Sequence, residues 1–231
     1  MRVNRKHGNS LLQSLPPSEL NQLKADLKVL KLRRGDVLFE PDRRADLTYF
    51  PLNCVVSFLG DTGEGRTVEV WSVGNEGVAG MSGILGGTKP FRGVVQVAGE
   101  AMAAKSSNLR RHLQRCSAFH DALLRYYDYL LVQISYLGVC NNIHSIEQRF
   151  SRWLLMIGDR TGSSQLGFTQ DAIAAILGTR RATISVVAAE LQSRGLISYS
   201  PGSIKIESQR SLEKAACDCY RRIRLRGSLF G

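Results

Sequence analysis

The sequence predicts an α+β protein with three consecutive parts: an N-terminal β jelly roll, a long helix and a C-terminal winged helix-turn-helix domain. Between residues 29 and 104, short apolar runs alternate with turn residues, as in antiparallel β folds. From residue 117 to 144, apolar residues instead recur at helical spacing. From residue 169, two short helical patterns flank a glycine and precede two strand patterns. We therefore expect domains at residues 10–116, 117–144 and 145–231.

Composition and charge narrow the class of protein. The chain has 231 residues, of which 43% are hydrophobic, and a net charge of +11. It contains no apolar run of about 18 residues, so we expect no membrane span and a cytoplasmic protein. From residue 145 onward there are 13 Lys and Arg against 7 Asp and Glu. This surplus favours an anionic partner, usually nucleic acid, although charge alone does not separate DNA from RNA or an acidic membrane surface.

The N-terminal half carries the β pattern. Residues 1–9 are polar and basic and are expected to be disordered, and two short helices should follow, the second opening at Pro16 and Pro17. The apolar runs predicted as strands are residues 29–32, 36–39, 49–51, 54–59, 67–73, 94–97 and 101–104. Their spacing of 8 to 12 residues is typical of a sandwich or jelly roll.

A long helix is predicted to begin at Ser117 and to reach about His144. One set of its residues follows spacings of four and three, a heptad seam that favours a parallel homodimer: Leu123, Tyr127, Leu130, Ile134, Leu137 and Asn141. A second stripe is expected to pack on the β domain: Leu124, Leu131 and Gly138. The alternative is one wide buried face in a monomer.

The helix-turn-helix pattern begins at Thr169, whose hydroxyl suits a helix N-cap. Gly178 should end the first helix, because glycine adopts a positive φ at little cost. Thr179 is expected to cap a second helix that ends before Gly195. The residues after Leu196 then form two short strand patterns around a Ser-Pro-Gly-Ser turn, which is typical of a wing. Ser211 is expected to cap a last helix, and the Arg-rich tail beyond Arg221 is expected to be mobile.

The second helix opens with two arginines, which suit phosphates and guanine edges. It is therefore predicted to enter the major groove of DNA. An ordinary helical hairpin in a protein core is the alternative. The predicted DNA-binding residues are Thr169, Gln170, Arg180, Arg181, Ala182, Thr183, Ser185 and Val186.

The sequence gives little sign of catalytic or metal chemistry. No Ser/His/Asp set or carboxylate pair falls in a plausible cleft, so we do not expect an enzyme. The five cysteines are scattered, unlike a disulfide framework. Cys217 and Cys219 form too isolated a pair to predict a metal site. His112, Cys116 and His120 would share a helical face, but Ser117 is expected to start a new helix and to break that face.

The chain resembles the Crp/Fnr family of bacterial transcription regulators over nearly its full length. The resemblance rests on the helix-turn-helix and on four phrases: Arg34–Phe39 (RGDVLF), Tyr49–Leu52 (YFPL), Val73–Gly80 (VGNEGVAG) and Arg152–Leu155 (RWLL). It implies a homodimer with a cyclic-nucleotide-binding-like barrel that senses a small molecule or redox state. It further implies paired winged helices on a palindromic promoter site, and RNA polymerase as a partner.

This sequence departs from the pattern of the family at two places. In members that bind cyclic AMP, a Gly-Glu pair holds the ribose and an arginine holds the phosphate. The pair falls here on Gly80 and Met81, and the arginine on Arg92. The resulting expected effector set is Gly80, Met81, Ser82, Arg92 and Gly93. It favours a nucleotide-type or other anionic effector over ordinary cyclic-AMP recognition.

The second departure is in the recognition helix. The family's base-reading Arg, Glu and Arg match Arg181, Ala182 and Val186, so only the first is kept and the operator should differ from the familiar one. The iron–sulfur branch of the family needs an N-terminal cysteine cluster. The first cysteine here is Cys54, so no iron–sulfur cluster of that kind is expected.

Overall fold

A computed structural model describes residues 8–61, 63 and 67–227 of the chain. Most of the expected disordered lead and part of the turn between the fourth and fifth strands lie outside these residues. The expectation of disorder is wrong for Asn9, which is 2% exposed. Its side chain caps the first helix and donates hydrogen bonds to the carbonyls of Pro51 and Gly77.

The N-terminal half is an antiparallel β fold of two sheets, and all seven predicted strands are confirmed. One sheet has the order β1-β7-β3 and the other β2-β6-β4-β5. The strands are β1 (Lys28–Leu32), β2 (Val37–Phe39), β3 (Leu47–Pro51), β4 (Val55–Asp61), β5 (Thr67–Val73), β6 (Arg92–Val97) and β7 (Gly99–Lys105). The helices in this half are α1 (Ser10–Gln13), α2 (Pro17–Lys24), α3 (Met81–Leu85) and α4 (Ser106–Leu113).

Aromatic rings fill the space between the sheets. Phe39 stacks on Phe58 with ring centroids 5.7 Å apart, and Phe58 stacks on Trp71 at 4.5 Å. Tyr49 and Phe91 meet this stack edge-on. Such rings bury large apolar areas and account for much of the stability of a small β domain.

The long helix, α5 (Ser117–Ile143), agrees with the prediction in length, but the expected role of one stripe is wrong. Leu124 is 57% exposed and Leu131 is 50% exposed, so neither packs on the β domain. A Cβ added to Gly138 would meet nothing within 4 Å. The stripe that packs on the rest of the chain instead includes Phe119, Ala122, Leu123, Tyr126, Tyr129 and Gln133.

The C-terminal part begins with α6 (Ile146–Thr161), which a capping box from Ser145 and Gln148 starts. It continues through β8 (Gln165–Leu166), α7 (Gln170–Leu177), α8 (Arg181–Ser193), β9 (Ile197–Ser200) and β10 (Ser203–Ile206). It ends with α9 (Gln209–Ala215) and α10 (Cys219–Gly227). No single helix in the described ranges has the length and apolarity to cross a membrane; α7 and α8 reach that length only as a pair bent by 108°.

Two expectations about the C-terminal end are wrong. Ser208, rather than Ser211, caps α9, and its side chain accepts a hydrogen bond from the backbone N–H of Ser211. The Arg-rich segment after Arg221 was expected to be mobile, yet it belongs to α10 as far as Gly227. Buried Tyr220 and Ile223 hold α10 against the molecule, because burial of apolar area outweighs the charge of the exposed arginines. Residues 228–231 lie outside the described residues.

Candidate DNA-binding surface

The predicted helix-turn-helix is present as α7 and α8. The Thr169 hydroxyl accepts a hydrogen bond from the backbone N–H of Ala172 at 3.2 Å, which confirms the first N-cap. Gly178 ends α7 with φ +61°, as its place in the turn requires. The two helices are bent by 108° relative to each other, within the range of DNA-binding helix-turn-helix motifs.

The start of α8 differs from the prediction. Arg180, not Thr179, is its N-cap, and no side chain caps it. The first turn of α8 therefore keeps backbone N–H groups without intrahelical partners, and such groups suit a phosphate oxygen. The end of α8 agrees with the prediction, because Gly195 follows it with φ +67°.

One face of α8 is buried and the other is open. Ile184, Val187, Ala188 and Leu191 pack inward. All eight residues predicted to bind DNA are exposed or partly exposed, and they lie at the start of α7 and in the first half of α8 with its N-cap. Val186 is 68% exposed, which is unusual for valine and suits contact with a thymine methyl group.

Arg181 is available to a ligand. Its Nε lies 3.6 Å from an Asp171 carboxylate oxygen, and both side chains are about two-thirds or more exposed. An ion pair this exposed contributes only about 0–1 kcal/mol, so the guanidinium can leave it at little cost.

The wing is confirmed and contains one more strand than predicted. β9 and β10 pair around Pro201 and Gly202, and β8 pairs with the other side of β10. The sequence did not predict β8, because a strand of two residues has no periodicity of its own and exists only through its partner.

The β fold contacts the helix-turn-helix directly. Arg34 donates a hydrogen bond to the Gly167 carbonyl at 2.5 Å, and its guanidinium lies 4.9 Å from the centre of the Phe168 ring. Gly178, in the turn of the motif, lies against Val68 of β5. A conformational change in the β fold can therefore reach α7 through these direct contacts.

A buried ion pair also connects the parts. Nη2 of Arg160, on α6, lies 2.8 Å from Oε1 of Glu76, which follows β5. The side chains of Arg160 and Glu76 are 5% and 7% exposed. Arg160 also donates hydrogen bonds to Ser72 and to Gln133 of α5. This group joins the β fold, α5 and the DNA-binding half, and Glu76 is therefore committed to Arg160 and unavailable to an effector.

The expected effector residues fall on two sides of Phe39. A Cβ on Gly80 would lie 2.8 Å from Phe39 Cε1, and Gly93 packs on the same ring. Met81 and Ser82 begin α3 and are partly buried. Arg92 is half-exposed and pairs with Glu40 at 3.1 Å. The two halves of the set are thus neighbours, separated by an aromatic ring.

The structure corrects the expectation that Cys217 and Cys219 are an isolated pair. Cys140 and His144, at the end of α5, lie beside them, and the four ligand atoms are all within 4.8 Å of one another. The sequence could not show this, because Cys140 and Cys217 are 77 positions apart. His112, Cys116 and His120 contact three different partners instead: Asp26, Gln22 and Asp121.

The fold and this surface define an antiparallel β fold that is connected through a long helix to a winged helix-turn-helix. Comparison with known proteins agrees with it. Residues 148–215 match the family described as the Crp-like helix-turn-helix domain. No curated protein matches the chain by sequence.

Solved structures extend the likeness to most of the chain. The c-di-GMP responsive global regulator CLP of Xanthomonas campestris is 14% identical, with a TM-score of 0.67, over 84% of this chain and 100% of that one. A CRP-family transcriptional regulator of Thermus thermophilus is 16% identical, with a TM-score of 0.66, over 81% and 96%. A CRP/FNR-family regulator of the same organism is 20% identical, with a TM-score of 0.55, over 82% and 98%. The C-terminal domain is thus a Crp-like helix-turn-helix domain, and the chain has the Crp/Fnr fold, as the sequence phrases predict.

Proposed function

We propose that the protein is a sequence-specific DNA-binding transcription regulator of the Crp/Fnr type. The observation that carries the proposal is the exposed face of α8, presented at 108° to α7, next to a wing and within a Crp-like helix-turn-helix segment. Because the proposed target is chromosomal DNA, the expected place of action is the cytoplasm. RNA polymerase is the further partner that such a regulator requires at a promoter.

The operator can be identified by selecting bound fragments from genomic DNA and footprinting them. We expect two protected half-sites about 34 Å apart, one turn of DNA, because a homodimer with two-fold symmetry presents two recognition helices. Protection of a single half-site would contradict the dimeric arrangement. Binding without sequence preference would contradict the regulator proposal itself.

Replacing Arg181 with alanine should weaken operator binding by about 1–3 kcal/mol and relax the choice of one base pair in each half-site. The reason is that Arg181 lies in the first turn of α8 and is not held by its exposed contact with Asp171. Binding isotherms on the operator and on single-base variants measure both effects. Arg111→Ala, in α4 on the β fold, is the matched control. An equal loss on every sequence would make Arg181 a phosphate contact.

We infer that the functional unit is a homodimer formed through α5. Its exposed apolar residues Leu124, Tyr127 and Leu131 and the partly buried Ile134 follow one another at spacings of three and four. Tyr127 and Ile134 belong to the predicted seam, whereas Leu123 packs within its own chain. The proposed contact face is thus the predicted seam rotated away from the core. A second copy would cover it as a coiled coil.

The β fold is the proposed sensor, and it should bind cyclic AMP weakly. Met81 stands where the family places the ribose-binding acid, Arg92 is paired with Glu40, and Phe39 separates the two halves of the expected site. Loss of a charged acceptor costs about 1.5–3 kcal/mol, a factor of ten to more than a hundred in affinity. Calorimetry should show no micromolar binding of cyclic AMP. Micromolar binding that Arg92→Ala abolishes would contradict this prediction.

The same calorimetry tests other anionic effectors. The neighbour from Xanthomonas campestris is described as responsive to c-di-GMP, so cyclic dinucleotides belong in the series with cyclic GMP. An effector that binds the β fold can act on DNA affinity through the Arg34 and Val68 contacts with the helix-turn-helix. If an effector changes operator affinity, operator DNA must change the affinity for that effector by the same factor, because linkage is reciprocal.

A further inference from the structure

Four side chains with metal-binding atoms meet where α5 ends and α10 begins. Cys140 lies in the last turn of α5, His144 is its C-cap, Cys217 precedes α10 and Cys219 begins it. The three cysteines are at most 5% exposed. Among the described residues, these four side chains form the single group of three or more His, Cys, Asp or Glu residues that is close enough to bind one metal ion.

Two of the distances between ligand atoms are close to those of a tetrahedral zinc site, and all of them are within 4.8 Å. Cys140 Sγ lies 3.4 Å from Cys217 Sγ, and Cys219 Sγ lies 3.7 Å from His144 Nδ1. Ligands at the usual Zn–S and Zn–N distances of about 2.3 and 2.1 Å are separated by about 3.5–3.8 Å in a tetrahedron. The 3.4 Å separation is far too long for a disulfide, whose S–S bond is about 2.05 Å. In a [4Fe–4S] cluster each cysteine binds a different iron, so the cysteine sulfurs lie further apart than these.

The surrounding charge points to bound thiolates. Arg152 is 4% exposed, and among the described residues it forms no ion pair with a carboxylate, although its field acts on the buried carboxyl of Glu69. Its Nε has no hydrogen-bond partner, and the same holds for Nε of half-buried Arg149. A buried cation without an anion is unfavourable by several kcal/mol. Three thiolates and one Zn²⁺ carry a net charge of −1, which Arg152 would neutralise.

We propose that Cys140, His144, Cys217 and Cys219 bind one structural Zn²⁺ ion in each chain. The ion fastens α10, which follows the wing, to the end of α5. It thereby fixes the orientation of the DNA-binding half relative to the helix through which the chains pair. All four ligand positions come from the protein, as in structural rather than catalytic zinc sites.

The first test is the metal content of the full-length chain, purified without added metal or chelator. We expect one zinc per chain, and zinc-free protein for Cys217→Ser and Cys219→Ser. Cys116→Ser is the matched control, because Cys116 is also buried but lies outside the group, and it should keep its zinc. Zinc retained in full by both ligand variants would overturn the proposal.

A second measurement does not depend on the folding of variants. The wild-type chain, reduced and stripped of metal, is titrated with Co²⁺. Thiolate-to-cobalt charge-transfer bands and tetrahedral d–d bands that saturate at one ion per chain support the site. Absence of both zinc and cobalt binding would overturn it, as would a Cys140–Cys217 disulfide in the purified protein or iron with acid-labile sulfide.

Arg152 provides a third test, because a residue that only supports the fold would not be expected to change the affinity for zinc. Replacing Arg152 with methionine should lower zinc affinity about 10–100-fold, as measured by competition with a chromogenic chelator. The fold of the metal-free protein should be kept, since an unpaired buried charge is removed. Arg125→Met, on the exposed side of α5, is the control. Unchanged zinc affinity in Arg152→Met would overturn the charge-balance reasoning.

Discussion

Replacing Glu76 with glutamine is expected to lower the free energy of unfolding by about 3–5 kcal/mol, because it leaves the buried charge of Arg160 without its anion. Glu76 and Arg160 are 7% and 5% exposed, so water cannot take the place of the lost carboxylate. Urea denaturation followed by circular dichroism measures the change. Since Arg160 also binds Ser72 and Gln133, loss of the pair should loosen the β fold from α5 and α6 together.

The chain supplies a matched control for this change. Arg92 and Glu40 form an ion pair at 3.1 Å with side chains 53% and 46% exposed. Glu40→Gln should cost no more than about 1 kcal/mol, because water screens an exposed pair. Equal losses of unfolding free energy for Glu40→Gln and Glu76→Gln would show that burial of the Glu76–Arg160 pair does not determine how much the pair contributes to stability.

Placing charges on the exposed apolar face of α5 is expected to produce monomers. The double change Leu124→Glu with Leu131→Lys puts two unpaired charges into a contact that must exclude water. Both side chains are half-exposed or more in the single chain, so its fold should be unaffected. Sedimentation measures the assembly state. Operator affinity should fall about 10²–10⁴-fold, the usual gain from linking two binding modules.

The control for the dimer prediction reverses a charge elsewhere on the same helix. Arg125→Glu changes an exposed residue that lies about 100° around α5 from Leu124, on the side opposite to Tyr127, and dimers should persist. A dimer that survives Leu124→Glu with Leu131→Lys would place the subunit contact elsewhere on the molecule.

Much of the fold is determined by local sequence. The seven strands of the β fold, the α7 cap at Thr169 and the positive φ at Gly178 and Gly195 follow from periodicity and residue preference. Each depends on residues within a few positions, so one sequence is enough to predict it. The exposure of the residues that are proposed to bind DNA could be predicted for the same reason, because the motif that presents them is a single short stretch.

Long-range packing determined the features of the fold that local sequence could not predict. Heptad spacing showed that α5 has apolar faces, but only the packed domain showed that Leu123 lies inside and Leu124 and Leu131 lie outside. β8 exists only through its pairing with β10. Glu76 meets Arg160, and Cys140 meets Cys217, across 84 and 77 positions of sequence respectively. No local preference encodes such encounters, because they form when apolar burial brings distant elements together and the buried polar groups must then find partners.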